Sequence, residues 1–239
     1  SHYPGLPLPV EADVPVLGEE PCPYRPGRLS RYRAFVTEWM PGALYHRFMD
    51  AGFRRSGEFF YQPVCRGCRA CVPIRVPVND FTPGRTQRRA LKRNQDLALT
   101  VAEPSFTPEK HDLYRRYTQQ WHGRADAPDE SDFAGFLASS PVDTLEFSYR
   151  DASGRLLAVG VCDVCAQSLS SVYFYFDPEC AQRWLGTYGA LMEIEWARAR
   201  RIPYYYLGYW VEDCGAMSYK NAFRPYELLG TDGVWKKAV

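Results

Sequence analysis

The stretch RWLGTYGALMEIEWARARR, Arg183–Arg201, decides how the second half of the chain folds. Its apolar residues recur at helical spacing and predict one helix, with an apolar face formed by Leu185, Tyr188, Met192, Trp196 and Ala199. The segments around it have the composition of strands: two in DTLEFSYRDASGRLLAVGVCDVC, one in SLSSVYFYFDPE and one in PYYYLGYW. Strands, a helix and a further strand in this order predict a mixed α/β domain.

Composition divides the 239 residues into three units. Residues 1–21 are rich in proline and acids, and they predict an extended arm without the apolar core of a secretory signal. Residues 22–100 hold clustered cysteines and a basic segment, and predict a smaller N-terminal domain. Residues 101–239 hold the strands and helix described above, and predict the larger α/β domain.

Charge is distributed unevenly along the chain. The net charge is only +1, yet Phe53–Gln95 contains ten Lys or Arg and two acids, a net +8 that leaves −7 for the rest. Such asymmetry predicts a face that binds a polyanion. No apolar run reaches the roughly 18 residues of a membrane span, so we expect a cytosolic protein without a membrane segment. In that compartment, the eight cysteines are more typical of metal ligands, redox groups or buried thiols than of disulfides.

The basic segment RTQRRALKRN, Arg85–Asn94, is predicted to be a helix with Thr82 as its N-cap and Pro83 in its first turn. The positions that usually form a buried apolar stripe here carry only cations, namely Arg85, Arg88, Arg89, Lys92 and Arg93. A phosphate backbone would relieve their mutual repulsion and release counterions. We interpret this cationic stripe as a contact for nucleic acid; a solvated surface helix is the alternative.

The N-terminal cysteines have the spacing of a metal site. CRGCRAC provides three cysteines in two Cys-x-x-Cys steps and CPYRPGR provides an isolated fourth, so the predicted ligands are Cys22, Cys65, Cys68 and Cys71. Zinc and a four-iron cluster both accept four thiolates, and reduced thiols without a metal are the alternative. Cys162 and Cys165 would point to opposite faces of a strand, and we interpret them as structural.

Arg183, Gly186 and Gly189 form R-x-x-G-x-x-G at the start of the predicted helix. This pattern is similar to the pyrophosphate loop of acyl-CoA acetyltransferases, in which backbone N–H groups at a helix start bind phosphate. Tyr188 stands where that loop needs Gly or Ala beside the pantetheine chain, so coenzyme A is not expected. Asp163, Tyr175 and Lys220 lie beside the apolar strands near this loop and are the catalytic candidates.

Taken in order, the motifs CPYRPGR, GFRRSGEFFYQPVCRGCRACVPIRV, FTPGRTQRRALKRN, FDPE, LGTYGAL and YYYLGYWVEDCGAMSYKNAFRPYELL span nearly the whole chain. Together they resemble the bacterial aspartate/glutamate leucyltransferases, which are aminoacyl-tRNA–protein transferases of the N-end rule related to the eukaryotic arginyl-tRNA–protein transferases. The resemblance implies an acetyltransferase-like (GNAT) C-terminal domain that uses aminoacyl-tRNA instead of acyl-CoA. It also implies that the cationic stripe and Arg183 contact tRNA.

The chemistry implied by the resemblance is transfer of an amino acid, leucine or arginine, from tRNA to the α-amine of proteins that start with Asp or Glu, which marks them for degradation. A cation must then hold the acidic side chain of the acceptor, and the candidates are Arg54, Arg55, Lys220 and Arg224. Asp163 or a tyrosine would guide the amine proton. An acetyl-CoA-dependent N-acetyltransferase and a non-catalytic, metal-stabilised RNA-binding module are the alternatives.

Overall fold

The computed structural model describes residues 14–238, so residues 1–13 of the predicted arm, and Val239, lie outside the described residues. A short antiparallel pair joins Glu20–Pro21 (β1) to Leu29–Ser30 (β2). It is followed by a three-stranded antiparallel sheet in the order β3-β5-β4, formed by Tyr32–Val36 (β3), Arg54–Ser56 (β4) and Phe59–Pro63 (β5). This small sheet displays the consecutive residues Arg54 and Arg55 on opposite faces.

The sequence predicts a mostly helical segment over residues 31–51, and the structure corrects its first part. Tyr32–Val36 is a strand paired with β5, and the helix α1 covers only Gly42–Asp50. The residues YRAFV are of types that favour strands, and pairing with β5 gives their backbone a complete ladder. Helix α1 then buries Tyr45, Phe48 and Met49 in a small core of its own beneath the sheet.

The larger part of the chain forms one eight-stranded sheet in the order β13-β12-β6-β11-β10-β9-β8-β7. Its strands are Val72–Pro77 (β6), Ala98–Ala102 (β7), Thr144–Arg150 (β8), Leu156–Cys165 (β9), Ser168–Phe176 (β10), Tyr204–Trp210 (β11), Tyr226–Leu229 (β12) and Trp235–Ala238 (β13). Neighbouring strands are antiparallel except β10 and β11, which run parallel because a helix connects them. The predicted mixed α/β fold is therefore confirmed.

Within residues 14–238, four further α-helices accompany this sheet: Arg85–Arg93 (α2), Pro108–Arg116 (α3), Glu130–Phe133 (α4) and Leu185–Ala199 (α5). Short π-helices (Tyr117–Trp121 and Ala134–Ala138) and 3-10 helices (Pro178–Arg183 and Gly215–Ala222) lie between the main elements. Helix α2 starts two residues later than expected, with Gly84 and not Thr82 as its N-cap. The side chain of Gln87 explains this start, because its Oε1 accepts the Gly84 N–H at 2.8 Å and supplies the cap from inside the helix.

The buried face of α5 is wider than the predicted stripe. Leu185 and Tyr188 are buried as expected, but Met192 and Trp196 are only half-buried and Ala199 is exposed. The most buried positions of the helix are instead Leu191, Glu193, Ile194 and Ala197. Helix α5 contacts both the sheet and α2, so two sides of it lose contact with water and a single-stripe pattern underestimates the burial.

The sheet extends across the predicted domain boundary near residue 100. Strand β6 lies between β12 and β11 inside the large sheet, and β7 forms its far edge. Strand β6 and the first part of β7 therefore belong to the large sheet, although the sequence assigns them to the N-terminal unit. The predicted division at residue 100 remains a prediction from amino-acid composition. In the structure, backbone hydrogen bonds between strands of the large sheet join the two units.

Gly189 is the position on α5 that leaves least room for a side chain. A Cβ built there would lie 2.1 Å from Cε2 of Phe174, whereas a Cβ on Gly186 would meet nothing within 4 Å. We expect Gly189→Ala to lower the free energy of unfolding by about 2–3 kcal/mol through overpacking. The matched control Gly186→Ala should be neutral or stabilising by up to about 1 kcal/mol, because alanine favours the helix. If denaturant titrations show equal changes in the free energy of unfolding for the two variants, the close contact between Gly189 and Phe174 is contradicted.

Candidate active site

The parallel strands β10 and β11 are paired only at their beginnings. Ser168–Ser170 pair with Tyr204–Tyr206, and no further β10–β11 pair follows in the described strands. Just beyond these pairs, the pairing of β10 with β9 shifts register after Ser171. The pairing of β11 with β6 shifts register before Gly208. The next four residues of β10, Ser171–Phe174, are half-buried, so the two strands diverge around an opening in the sheet.

Two cations meet at this opening, on either side of Gly208. A Cβ built on Gly208 would lie 3.5 Å from Nζ of Lys220 and 3.6 Å from Nε of Arg54. Nη2 of Arg54 donates to the carbonyl of Ser171 at 2.8 Å, and Nζ of Lys220 donates to the carbonyl of Tyr209 at 2.7 Å. Gly208 has φ of +90°, a conformation that side chains rarely adopt, so this close arrangement requires glycine.

Neither cation is neutralised by the part of the protein that the structure describes. Nη1 of Arg54 is buried without an acceptor, and no carboxylate contributes to the electrostatics of Lys220. Burial, and then the neighbouring Arg54, lower the pKa of Lys220 from 10.5 to about 7. Two buried like charges without a counterion destabilise a folded chain. The arrangement is therefore typical of a site that receives an anion.

Arg55, on the opposite face of β4, has a counterion within the protein. Its Nε and Nη2 donate to both carboxylate oxygens of Asp163, at 2.9 and 2.6 Å, and both side chains are buried. Thr144 also donates to Asp163, at 2.8 Å. The predicted acceptor-binding role of Arg55 and the predicted catalytic role of Asp163 are not supported by this geometry, because each group already saturates the other.

Two more of the predicted site residues lie away from the cation pair. Tyr175 is 1% exposed and packs among Tyr114, Phe133 and Tyr173, and burial raises its pKa well above the usual value. It is therefore a core residue and a poor proton carrier. Arg224 is exposed in the segment before β12, and its guanidinium lies 6.0 Å from the ring of its neighbour Tyr226.

The structure adds Glu193, which the sequence analysis did not select. This residue of α5 is 1% exposed, and its Oε2 accepts a hydrogen bond of 2.5 Å from the hydroxyl of Tyr205 on β11. Burial raises its pKa from 4.5 to about 7, while the hydroxyl of Tyr205 and then the nearby side chains of Cys162 and Ser171 lower it. An acidic residue between Met192 and Ile194, in a run of apolar residues, was the available sequence signal.

The cationic stripe lies on the outer face of α2. Its five members are all exposed, and none forms an ion pair within residues 14–238: Arg85, Arg88, Arg89, Lys92 and Arg93. The helix is held to α5 by its other face, on which Gln87, Ala90 and Asn94 are buried. Small and amide side chains therefore replace the usual apolar stripe of the helix. The cations lack acidic partners in the described part of the chain, although Arg88 and Arg93 donate to the backbone carbonyls of Pro83 and Gln182.

The stripe continues to the start of α5. The guanidinium of Arg93 stacks on the ring of Trp184, the residue before α5, at 4.3 Å from the ring centroid. Arg183 donates to Oδ1 of Asn94 at 2.8 Å and is paired with Asp96. The predicted tRNA contact Arg183 is thus engaged in joining α2 to α5, and the N-terminus of α5 lies beside the stripe.

The four N-terminal cysteines line one small cavity, together with Tyr24 and Tyr32: Cys22, Cys65, Cys68 and Cys71. Burial, and then the other three cysteines, raise the pKa of Cys71 to about 12. Over residues 14–238, however, no three His, Cys, Asp or Glu side chains come together as a ready ligand set. No disulfide joins any of the eight cysteines, all of which lie in the described range, and Cys162 and Cys165 are buried as expected of structural residues.

Two cavities flank β4 and share Ser56 in their walls. One, of about 380 Å³, has four tyrosines in its wall, among them Tyr61 and Tyr209, and the carbonyl of Tyr209 accepts a hydrogen bond from Lys220. The other, of about 650 Å³, lies beside Tyr114 and Arg124. Tyr209 thus connects the first of these cavities to Lys220 of the cation pair. No helix within the described range is long and apolar enough to cross a membrane.

Comparison with known families identifies the family of the chain. Residues 20–89 match the N-terminal model, and residues 109–230 the C-terminal model, of the arginine-tRNA-protein transferases. The chain belongs to this family. It is therefore an aminoacyltransferase that acts on aminoacyl-tRNA and protein, and the acetyl-CoA-dependent and non-catalytic alternatives are set aside.

Relatives and solved structures agree with the assignment to the aminoacyl-tRNA–protein transferases. The chain is 43% identical to the aspartate/glutamate leucyltransferase of Thiobacillus denitrificans, covering 90% of each chain, and 42% identical to that of Pseudomonas aeruginosa, covering 87% and 90%. Its fold is similar to a C-terminal DUF2156 domain from Agrobacterium fabrum (TM-score 0.52, 16% identity, 82% of this chain and 65% of that one). FemX is also similar (TM-score 0.50, 11% identity, 75% and 64%). The predicted acetyltransferase-like fold is thereby confirmed.

Proposed function

We propose that this transferase moves leucine from leucyl-tRNA to the α-amine of proteins that start with Asp or Glu, in the cytosol, as a mark for degradation. The observation that carries the acceptor preference is the pair of buried cations, Arg54 and Lys220, which lack a carboxylate partner among residues 14–238. Leucine is the amino acid in the names of the relatives.

The acceptor side chain supplies the missing anion. A carboxylate placed against Gly208 would accept hydrogen bonds from the free Nη1 of Arg54 and from Lys220. The carboxylate would also offset the lowering of the Lys220 pKa by Arg54. The pKa of Lys220 would then rise, and its side-chain amine would take up a proton when the acceptor binds. An amide in the same place offers no such charge, which makes the site selective for Asp and Glu over Asn and Gln.

The donor approaches from the side of α2. The stripe binds the tRNA backbone, and the exposed N-terminus of α5 beside it offers free N–H groups to a phosphate near the acceptor end. Tyr188, which stands where the loop of acyl-CoA acetyltransferases has Gly or Ala, is buried against Tyr149, and the proposal gives coenzyme A no role. The opening between β10 and β11 is then left for the aminoacyl ester.

The reaction needs little from the protein beyond positioning. The ester of aminoacyl-tRNA is already activated, and an α-amine with a reference pKa of about 7.7–8.0 is partly neutral in the cytosol. Holding the acceptor carboxylate on Arg54 and Lys220 fixes the amine beside the end of the β10–β11 ladder. Fixing both reactants in one geometry can supply most of the rate enhancement.

Transfer assays with differently charged tRNAs test the proposal. The protein is incubated with leucyl-, arginyl-, phenylalanyl- or methionyl-tRNA and with peptides that start with Asp, Glu, Asn or Gln. We expect leucine on the Asp and Glu peptides and little product elsewhere. Preferential transfer from arginyl-tRNA would overturn the assignment of the donor, and equal use of Asn and Asp peptides would overturn that of the acceptor.

We also propose that the four cavity-lining cysteines bind one metal ion or cluster, zinc or iron–sulfur, in the N-terminal unit: Cys22, Cys65, Cys68 and Cys71. Their common cavity supports this proposal, whereas a ready ligand set is absent from the described residues, so the loops would have to close around the metal. Bound metal would supply only structural support there.

Metal analysis of the purified protein and of Cys68→Ser tests the cysteine site. We expect roughly one metal centre per chain in the parent, and its loss together with a lower melting temperature in Cys68→Ser. Cys180→Ser is the matched control, because Cys180 is a partly exposed thiol outside the cavity. If the parent protein contains no metal and its stability is unaffected by Cys68→Ser, the metal site is contradicted and these cysteines are ordinary thiols.

A further inference from the structure

Glu193 lies in a pocket that the fold keeps free for its carboxylate. A Cβ built on Gly160 of β9 would lie 2.3 Å from Oε1 of Glu193, so any side chain at position 160 would displace the carboxylate. Tyr205 donates to Oε2 at 2.5 Å, while Oε1 is buried and has no hydrogen-bond partner among the described residues. A buried acceptor without a partner destabilises the fold, so its presence calls for an explanation.

The pocket lies directly behind the opening between β10 and β11. Tyr205 is in the paired part of β11, and Ser171 is the first residue of β10 beyond the last pair. The side chain of Ser171 is close enough to Glu193 to lower its pKa, and the carbonyl of Ser171 accepts from Arg54 at 2.8 Å. Ser171 therefore connects Glu193, on the helix side, to Arg54 of the acceptor site.

Every titratable group found around Glu193 is neutral at physiological pH. Tyr205 of β11, Cys162 of β9, Tyr149 of β8 and Tyr219 near Lys220 all interact with it, and the pKa of each is raised. Burial is the first cause for Tyr205, Cys162 and Tyr149, which are all fully buried. With no cation at hand, the pKa of Glu193 is raised to about 7, so its two protonation states are close in free energy.

We propose that Glu193 is the proton acceptor of the transfer reaction, acting through the hydroxyl of Ser171. This inference rests on the proposed function. The nitrogen lone pair of the acceptor amine attacks the ester carbonyl and forms the C–N bond. The hydroxyl of Ser171 takes the proton from that nitrogen and passes its own to Glu193. When the tetrahedral intermediate collapses, the C–O bond to the ribose breaks and the same proton returns to the ribose oxygen, so no other reagent is consumed.

The pH dependence of transfer separates this role from a structural one. The acceptor peptide carries an aminooxy group in place of its α-amine, because that group stays unprotonated from about pH 6 to about pH 9 and leaves only the enzyme to titrate. We expect kcat/KM of the parent to rise with pH through a limb near pH 7. Lys220 has the opposite effect on kcat/KM. Its loss of a proton at higher pH weakens acceptor binding and so lowers kcat/KM.

Glu193→Gln should remove the rising limb and lower kcat/KM roughly thirtyfold at about pH 8, with a melting temperature near that of the parent. Tyr205→Phe keeps the carboxylate but removes a hydrogen bond that lowers its pKa, so the limb should move to higher pH. An unchanged limb in a folded Glu193→Gln would overturn the inference. An unshifted rising limb in the pH profile of Tyr205→Phe would also overturn the inference. This second variant provides the test if Glu193→Gln does not fold. Absence of transfer by the parent to natural Asp peptides would instead overturn the proposed function, and this inference with it.

Discussion

Replacing Arg54 by Ala is expected to lower kcat/KM for peptides that start with Asp about a thousandfold, because the acceptor carboxylate then loses its buried partner. This factor corresponds to about 4 kcal/mol, within the range of about 2–5 kcal/mol for removing one member of a buried charge pair. Arg54 is 6% exposed and has one buried N–H group without an acceptor, so solvent cannot replace it. The measurement compares Asp- and Asn-started peptides, with leucyl-tRNA as the donor.

The second cation adds a stability signature. The pKa of Lys220 is lowered from 10.5 to about 7, so at pH 7 and below the folded chain carries a charge that destabilises it, and the destabilisation fades between pH 7 and 10.5. Lys220→Met should therefore raise the melting temperature near neutral pH, and less so at pH 10, while it weakens the preference for Asp over Asn. A structural lysine would show the opposite stability effect.

Arg224→Ala is the matched control for both variants, because Arg224 is an exposed arginine outside the cation pair. We expect it to leave the preference for Asp-started peptides unchanged. If the preference survives in Arg54→Ala and Lys220→Met but falls in Arg224→Ala, the acceptor site has been placed on the wrong cations.

Removing the outer cations of the stripe is the second large effect that we expect. Replacing Arg85, Arg88, Arg89 and Lys92 together by Gln should weaken tRNA binding several hundredfold at about 0.15 M salt, and should reduce the salt slope by roughly 3. These side chains are exposed and free of ion pairs within residues 14–238, and glutamine keeps the helix propensity, so the fold should be unaffected. Binding is measured by titration at several salt concentrations.

A control for the stripe must change the net charge equally at other places. Four exposed cations that are paired with acids elsewhere provide it: Arg66, Arg115, Lys236 and Lys237. Their replacement by Gln should leave the salt slope near that of the parent. Equal losses in the two quadruple variants would show that tRNA senses net charge only, and that α2 is no specific contact.

The sequence by itself determined the elements of the fold and the character of its surfaces. Apolar residues recur every two residues in strands and about every 3.6 residues in helices, and both patterns involve only residues close together in sequence. The sequence therefore predicts β6, β8, β9, β11 and α5. The stripe on α2 is equally local, since its charges follow from spacing alone. The motifs that identify the family are also contiguous, which is why the resemblance and the matched family agree.

Only the tertiary structure decided which charged groups remain available for substrate. Arg54 and Arg55 are indistinguishable in sequence, but strand geometry turns them to opposite faces, and Asp163, 108 residues away, neutralises Arg55 alone. Lys220 joins Arg54 only because Gly208 leaves space between them. Glu193 emerged for the same reason: burial, partners and pKa depend on contacts between distant segments, and local patterns carry no information about those distances.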